Sequence, residues 1–202
     1  MLRAGVIFLS MIAAYAQSSS DVKVDTAQAR AVVLSVPPHS STAPHDYPFG
    51  AVLVFLEGGR MTLSSSSGPA EKFEARAGSF RWVTAGKSYV SENIGAAPLQ
   101  IVEIALRDKP AGPLPDSSMD PVKVDPDHYK TEFENGQVRV LRVHYGPHEK
   151  GALHEHKLNR VVVYLTDHPG LKAGSVRISG AATHTEENSM DQSVERIAVE
   201  LK

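Results

Sequence analysis

Residues 137–165 read QVRVLRVHYGPHEKGALHEHKLNRVVVYL, and residues 28–56 read QARAVVLSVPPHSSTAPHDYPFGAVLVFL. Set at a constant offset of 109 and without a gap, Gln28 meets Gln137, Arg30 meets Arg139, Pro38 meets Pro147 and His39 meets His148. Ala43 meets Ala152, His45 meets His154, Val52 meets Val161, Val54 meets Val163 and Leu56 meets Leu165. Phe55 meets Tyr164, an aromatic for an aromatic. Further on, Ala77-Gly78-Ser79-x-Arg81 matches Ala173-Gly174-Ser175-x-Arg177 at an offset of 96, and Glu92-Asn93 matches Glu187-Asn188 at 95. Self-similarity over two blocks marks an internal duplication. The fall in offset from 109 to 96 means that the second copy lacks 13 residues between its blocks.

Each copy reads as β structure. Candidate strands are Arg30–Val36, Ala51–Leu56, Ser79–Thr84, Ile101–Arg107, Val138–His144, Arg160–Leu165, Ser175–Ser179 and Val194–Leu201. They are short, rich in Val and Ile, and bounded by Gly, Pro, Asn and Ser, with no long helical period between them. Ser64–Gly68 reads as a polar hairpin loop between strands near Met61–Leu63 and Lys72–Ala75, and the 13 missing residues remove that hairpin from the second copy. His168-Pro169-Gly170 reads as the turn that replaces it. Residues 108–127 are rich in Pro, Asp and Ser and read as a linker between domain 1 (22–107) and domain 2 (128–202). The expected class is all-β: two tandem small antiparallel barrels, the second shortened.

The chain opens MLRAGVIFLSMIAAYAQ, one charge followed by an apolar run ending in Ala14-Tyr15-Ala16. That is the pattern of a signal peptide over residues 1–16, cleaved before Gln17, and it predicts a periplasmic or secreted protein free of the membrane after cleavage. With no cysteine, the exported domains must be held by their cores rather than by disulfides. A formal net charge of −2, with scattered Lys and Arg, offers no footprint for nucleic acid. There is no Cys nucleophile, Gly-x-Ser-x-Gly elbow, phosphate loop or dinucleotide fingerprint.

The chemistry is concentrated in histidines. His154 and His156, at the head of the predicted Arg160–Leu165 strand, share a face because alternate strand residues point the same way. Imidazole is the commonest ligand for divalent transition metals. His184, near the end of another predicted strand, could supply a third. Glu186-Glu187 reads as a solvated acidic pair, with a base near a metal as the alternative.

These residues resemble the cupins, small antiparallel jelly-roll barrels. The first cupin motif is Gly, a spacer, His-x-His, three or four residues, Glu, then Gly. Gly146-Pro147-His148-Glu149-Lys150-Gly151-Ala152-Leu153-His154-Glu155-His156 is similar to it as far as the histidine pair. The second motif, Gly-x5-Pro-x-Gly-x2-His-x3-Asn, is followed in spacing at Gly78, Gly86 and Asn93, and at Gly174, His184 and Asn188 with one residue fewer before the histidine. The chain therefore resembles a bicupin over nearly all of the mature sequence.

The resemblance implies a divalent metal (Fe, Mn, Zn, Ni or Cu) on His154, His156 and His184. It also puts Arg160 where the family has its glutamate ligand, leaving at most a three-histidine site. Arginine cannot coordinate a cation, but it can orient a substrate carboxylate. In domain 1 the corresponding positions are His45-Asp46-Tyr47 and Tyr89, a poor metal set; His45, Tyr47, Tyr89 and Trp82 are there candidates for lining a small-ligand cup. The implied activity is metal-dependent oxygenation, isomerisation or decarboxylation of a small organic molecule. The alternative is a non-catalytic ligand-binding or structural cupin, including one that forms a homo-oligomer.

Overall fold

The structure is a computed structural model that describes residues 17–110 and 112–202; the signal peptide expected over residues 1–16 lies outside the described residues. The first half contains β1 (Ser19–Asp25), β2 (Ala29–Val36), β3 (Ser40–Ser41), β4 (His45–Tyr47), β5 (Ala51–Phe55), β6 (Gly59–Ser65), β7 (Glu71–Ala75), β8 (Phe80–Val83), β9 (Lys87–Asn93) and β10 (Leu99–Leu106). A single turn of helix, α1 (Pro121–Val124), follows. The second half contains β11 (Tyr129–Glu134), β12 (Val138–Tyr145), β13 (His154–His156), β14 (Arg160–Tyr164), β15 (Val176–Ser179), β16 (Ala182–His184) and β17 (Val194–Leu201).

The two halves share one topology. One sheet runs β1-β2-β10-β5-β8 in the first and β11-β12-β17-β14-β15 in the second, all antiparallel. The duplication holds at single-residue register. Ala51 faces Val83, and their counterparts Arg160 and Ser179 face each other. His45 faces Tyr89, as His154 faces His184. Even the left-handed residues repeat: His39 and His148 have φ of 55° and 58°, and Gly78 and Gly174 have φ of 74° and 82°.

The opposite sheets differ. In the first barrel β3, β4, β9, β6 and β7 form five strands. In the second only β13 and β16 remain as named strands, because the β6–β7 hairpin has no counterpart. Its place is taken by a tight turn bridged from His168 to Leu171, with Gly170 at φ 73°. Part of the Pro-rich stretch folds onto the second barrel instead of hanging free. The Asp120 side chain caps α1 by accepting from Val122 N at 3.0 Å, and Met119 O accepts from Glu155 N on β13 at 2.8 Å. The β13 edge of the two-stranded sheet is thereby partly covered.

Strand alternation sorts side chains into an inner and an outer layer. On the first barrel's inner side, Leu34, Leu53, Phe55, Met61 and Ile101 make an apolar filling. The outer faces of the two larger sheets meet. Val52, Val54, Val102 and Ile104 pack with Val140, Val161, Val163, Ile197 and Val199 in one core shared by both barrels. The contacts follow an approximate two-fold axis. Gln28 accepts from Asn159 Nδ2 at 2.6 Å, while its counterpart Gln137 donates to the carbonyl of Phe49, next to the counterpart of Asn159. A side chain on Gly78 would touch Leu165, and one on Gly174 would touch Leu56, its repeat partner.

Candidate metal centre

His154 and His156 do not head the Arg160–Tyr164 strand. They occupy β13, a separate strand in the opposite sheet, where Lys157 to Asn159 let the chain cross over. The alternation argument survives the move: the pair flanks Glu155, and both imidazoles point into the barrel, 0% and 3% exposed. Antiparallel pairing sets His184 directly across from His154. Ring centroids lie 5.0 Å apart for His154–His156, 4.7 Å for His154–His184 and 5.5 Å for His156–His184. One nitrogen from each ring falls within 4.8 Å of the others.

Proton accounting shows which nitrogens are available. His154 Nδ1 lies 2.8 Å from the Ala152 carbonyl, which can only accept, so Nδ1 carries the proton and Nε2 a lone pair. Tyr129 OH stands 3.2 Å from that Nε2 but donates its single proton to Glu186 Oε2 at 2.5 Å. His156 Nδ1 lies 3.0 Å from Glu200 Oε1, which again leaves Nε2 as a lone pair. His184 Nε2 is buried with no hydrogen-bond partner among the described residues. Two lone pairs, each fixed by a carbonyl or carboxylate behind its ring, converge with the unpartnered His184 Nε2 in the arrangement that metal-binding histidines use. The donor set fits a divalent transition metal.

Electrostatics favour neutral imidazoles. Burial pushes His184 down to about 4, with Glu186 opposing and His154, His156 and Arg160 reinforcing the shift. Burial also lowers His156, against the hydrogen bond it donates to Glu200. Glu200 itself stays ionised below its ordinary range: burial resists, but His156 and Arg139 together prevail. Arg139 donates from Nε to Glu200 at 2.6 Å and from Nη1 to Asp120 at 2.7 Å, so the carboxylate behind His156 is itself held.

Arg160 does point inward. It is buried, donates to the Gly180 carbonyl at 2.7 Å, and lines a small cavity of about 40 Å³ beside the triad with Tyr129, Glu186 and Arg196. Glu186 is not a solvated acid: Tyr129 and Arg196 both donate to its Oε2, and its Oε1 lies 3.9 Å from His184 Nε2. Glu187 does stay at the surface, near Lys150. In the first barrel, His45 bonds Glu103 through Nδ1 at 2.5 Å, and Tyr47 OH donates to the same oxygen at 2.7 Å. Tyr47 and Tyr89 are buried and stacked at 5.6 Å, within the apolar filling. Trp82 stacks on Phe133 across the barrel interface, away from any cup. Sequence reading missed Tyr129, Arg196 and Glu200, and named Glu186 without its partners. A usable signal lay in Val194–Leu201, where Arg196, Ala198 and Glu200 alternate with apolar Ile197, Val199 and Leu201.

No family model and no curated protein matches this sequence. Solved structures do match its fold. AerE from Microcystis aeruginosa has a TM-score of 0.70 at 10% identity, with 95% of each chain covered. A cupin 2 conserved barrel domain protein from Leptotrichia buccalis has a TM-score of 0.60 at 12% identity, covering 95% of this chain and 92% of that one. An oxalate decarboxylase variant from Bacillus subtilis has a TM-score of 0.63 at 10% identity, covering 93% and 77%. At such identities the likeness shows the fold alone, and that fold is the bicupin one, two tandem β-barrels.

Proposed function

We propose that the second barrel binds one divalent transition metal through His154, His156 and His184, and that this centre acts on a small organic molecule. The observation that carries the proposal is the buried, unpartnered His184 Nε2 facing two imidazoles whose other nitrogens are already engaged. Bacillus subtilis oxalate decarboxylase, similar in fold, holds Mn(II) centres, which supports the reading without fixing the metal here. A cation on three imidazoles supplies a Lewis acid with positions left open for water or substrate oxygen. The surrounding residues have separate tasks. Glu200 and the Ala152 carbonyl hold two rings in place. Arg160 and Arg196 place positive charge where an anionic substrate would lie. Tyr129 OH and Glu186 share a proton beside His154.

A second reading, a metal held without turnover, draws on the cavity beside the triad. At about 40 Å³ it admits water but no organic substrate unless the Glu186–Arg196 pair parts. Metal analysis of purified protein tests the main proposal: wild type should carry about one metal per chain, and His154→Ala and His184→Ala should lose it. Wild type without stoichiometric metal, and variants indistinguishable from it, would sink the metal centre. Water-proton relaxation of the Mn(II)-loaded protein separates the readings, since a closed structural site shows no exchanging inner water. Export belongs to the same proposal, and a mature amino terminus at Gln17 is its check.

A further inference from the structure

A cavity of about 420 Å³ lies away from the histidine triad, at the mouth of the first barrel. Arg30, His45, Asp46, Glu103 and Arg107 supply its polar wall and floor. Its volume falls within the range of small-molecule sites.

The second barrel shows what this space accommodates. Arg139, the counterpart of Arg30, is 5% exposed and holds two carboxylates: Glu200, directly across on β17, and Asp120, from the segment folded over the barrel. The same segment covers Glu155, the counterpart of Asp46, through Met119 O and Ser117 Oγ. In the first barrel both carboxylates are missing. The residue directly across from Arg30 on β10 is Ala105. No described segment folds over Asp46. Arg107 is paired to Asp25 and Glu103 is bonded by His45 and Tyr47, while Asp46 stays exposed at the rim with no ion pair among the described residues. Arg30 makes no ion pair among the described residues, and it faces the cavity.

We propose that this cavity binds a small organic carboxylate, its carboxylate on Arg30 where Glu200 and Asp120 sit on Arg139. The guanidinium fork matches a carboxylate in two-point geometry. His45, with Nδ1 committed to Glu103, offers its other nitrogen to a hydroxyl or amino group on the ligand. Val32, Pro48 and Leu106 provide an apolar wall for the carbon chain. The site is independent of the metal centre.

Calorimetric titration of the full chain, stripped of metal on a chelating resin, tests this with lactate, malate and glutamate as probes and the neutral amide of lactate as control. At least one carboxylate should bind with a Kd below about 10 mM, and the amide should not. Arg30→Met should weaken binding about ten- to a hundredfold, the range for a lost charge-assisted contact. Ala105→Glu, which rebuilds the internal partner found in the second barrel, should do the same, and His154→Ala should not. Failure of all three carboxylates, or equal binding in both barrel-one variants, overturns the proposal. So does an Arg30→Met variant whose only change is its state of self-association, because Arg30 would then belong to a protein interface.

Discussion

Glu200 occupies a position where the first barrel has alanine, and it connects the fold to the site. Glu200 is 1% exposed; one of its carboxylate oxygens accepts from His156 Nδ1 and the other from Arg139 Nε. Partners of this kind set the tautomer and aim of a ligating ring, and their loss costs about ten- to a hundredfold in metal affinity. Glu200→Gln should therefore loosen metal by that factor without abolishing binding, measured by competition with a chromophoric chelator. An unchanged affinity would reduce Glu200 to a packing role. His184 makes a separate prediction for the metal-stripped protein. Its folded value is pushed down to about 4 by burial, whereas the unfolded chain takes up the proton near about 6.5. Between those values the unfolded state binds the extra proton, so stability is lost as pH falls from about 6.5 to about 4 and levels off below. Urea denaturation at several pH values should show a shallower acid decline in His184→Asn than in wild type. Parallel declines would refute the assignment.

At the scale of elements, the strands were legible where side chains alternate and obscure where they are short or polar. Val194–Leu201 emerges with the bounds expected of it, and β2, β5, β12 and β14 differ by about a residue at their ends. The strands β1, β9 and β11 escaped detection because Ser, Asp, Lys and Glu carry their exposed faces. The histidine triad was readable because it sits at repeat positions. Its supporting carboxylates were not, since Glu186 and Glu200 replace Ser91 and Ala105 and leave no self-similar trace. The β4–β5 connection has its own signature in Gly50. Its φ is 93°, and a methyl there would lie 2.5 Å from Trp82 Cη2 and 3.0 Å from the Val83 carbonyl. Trp82 cannot swing away cheaply, being stacked on Phe133. Gly50→Ala should cost about 2–3 kcal/mol, combining left-handed strain with displaced packing. Gly86→Ala, at φ 79° with open space around it, should cost only about 1 kcal/mol. Equal costs in thermal melts would mean that the Trp82 contact yields freely.

For the molecule as a whole, the decisive feature is that neither barrel owns its outer core. Val52, Val54, Val102 and Ile104 are fully buried only because Val161, Val163, Ile197 and Val199 lie against them. Separating the barrels would return these side chains to water at about 1.5–3 kcal/mol each, comparable in sum to the whole stability of an ordinary domain. The second barrel is the more dependent of the two. Its inner layer holds His156, Arg160, Arg196 and Glu200 where the first barrel holds Tyr47, Ala51, Ile101 and Ala105, and its second sheet is down to two named strands. A polar interior specifies a site but supplies little hydrophobic stabilisation of its own. The chain should therefore unfold in one calorimetric transition, with van't Hoff and calorimetric enthalpies in agreement, despite its two-barrel architecture. Ile197→Ala, in the shared core, should cost about 2–5 kcal/mol and move that single transition as a unit. Two resolved transitions, only one of them shifted by Ile197→Ala, would show that the first barrel stands alone. The shared core would then be a docking surface between finished domains.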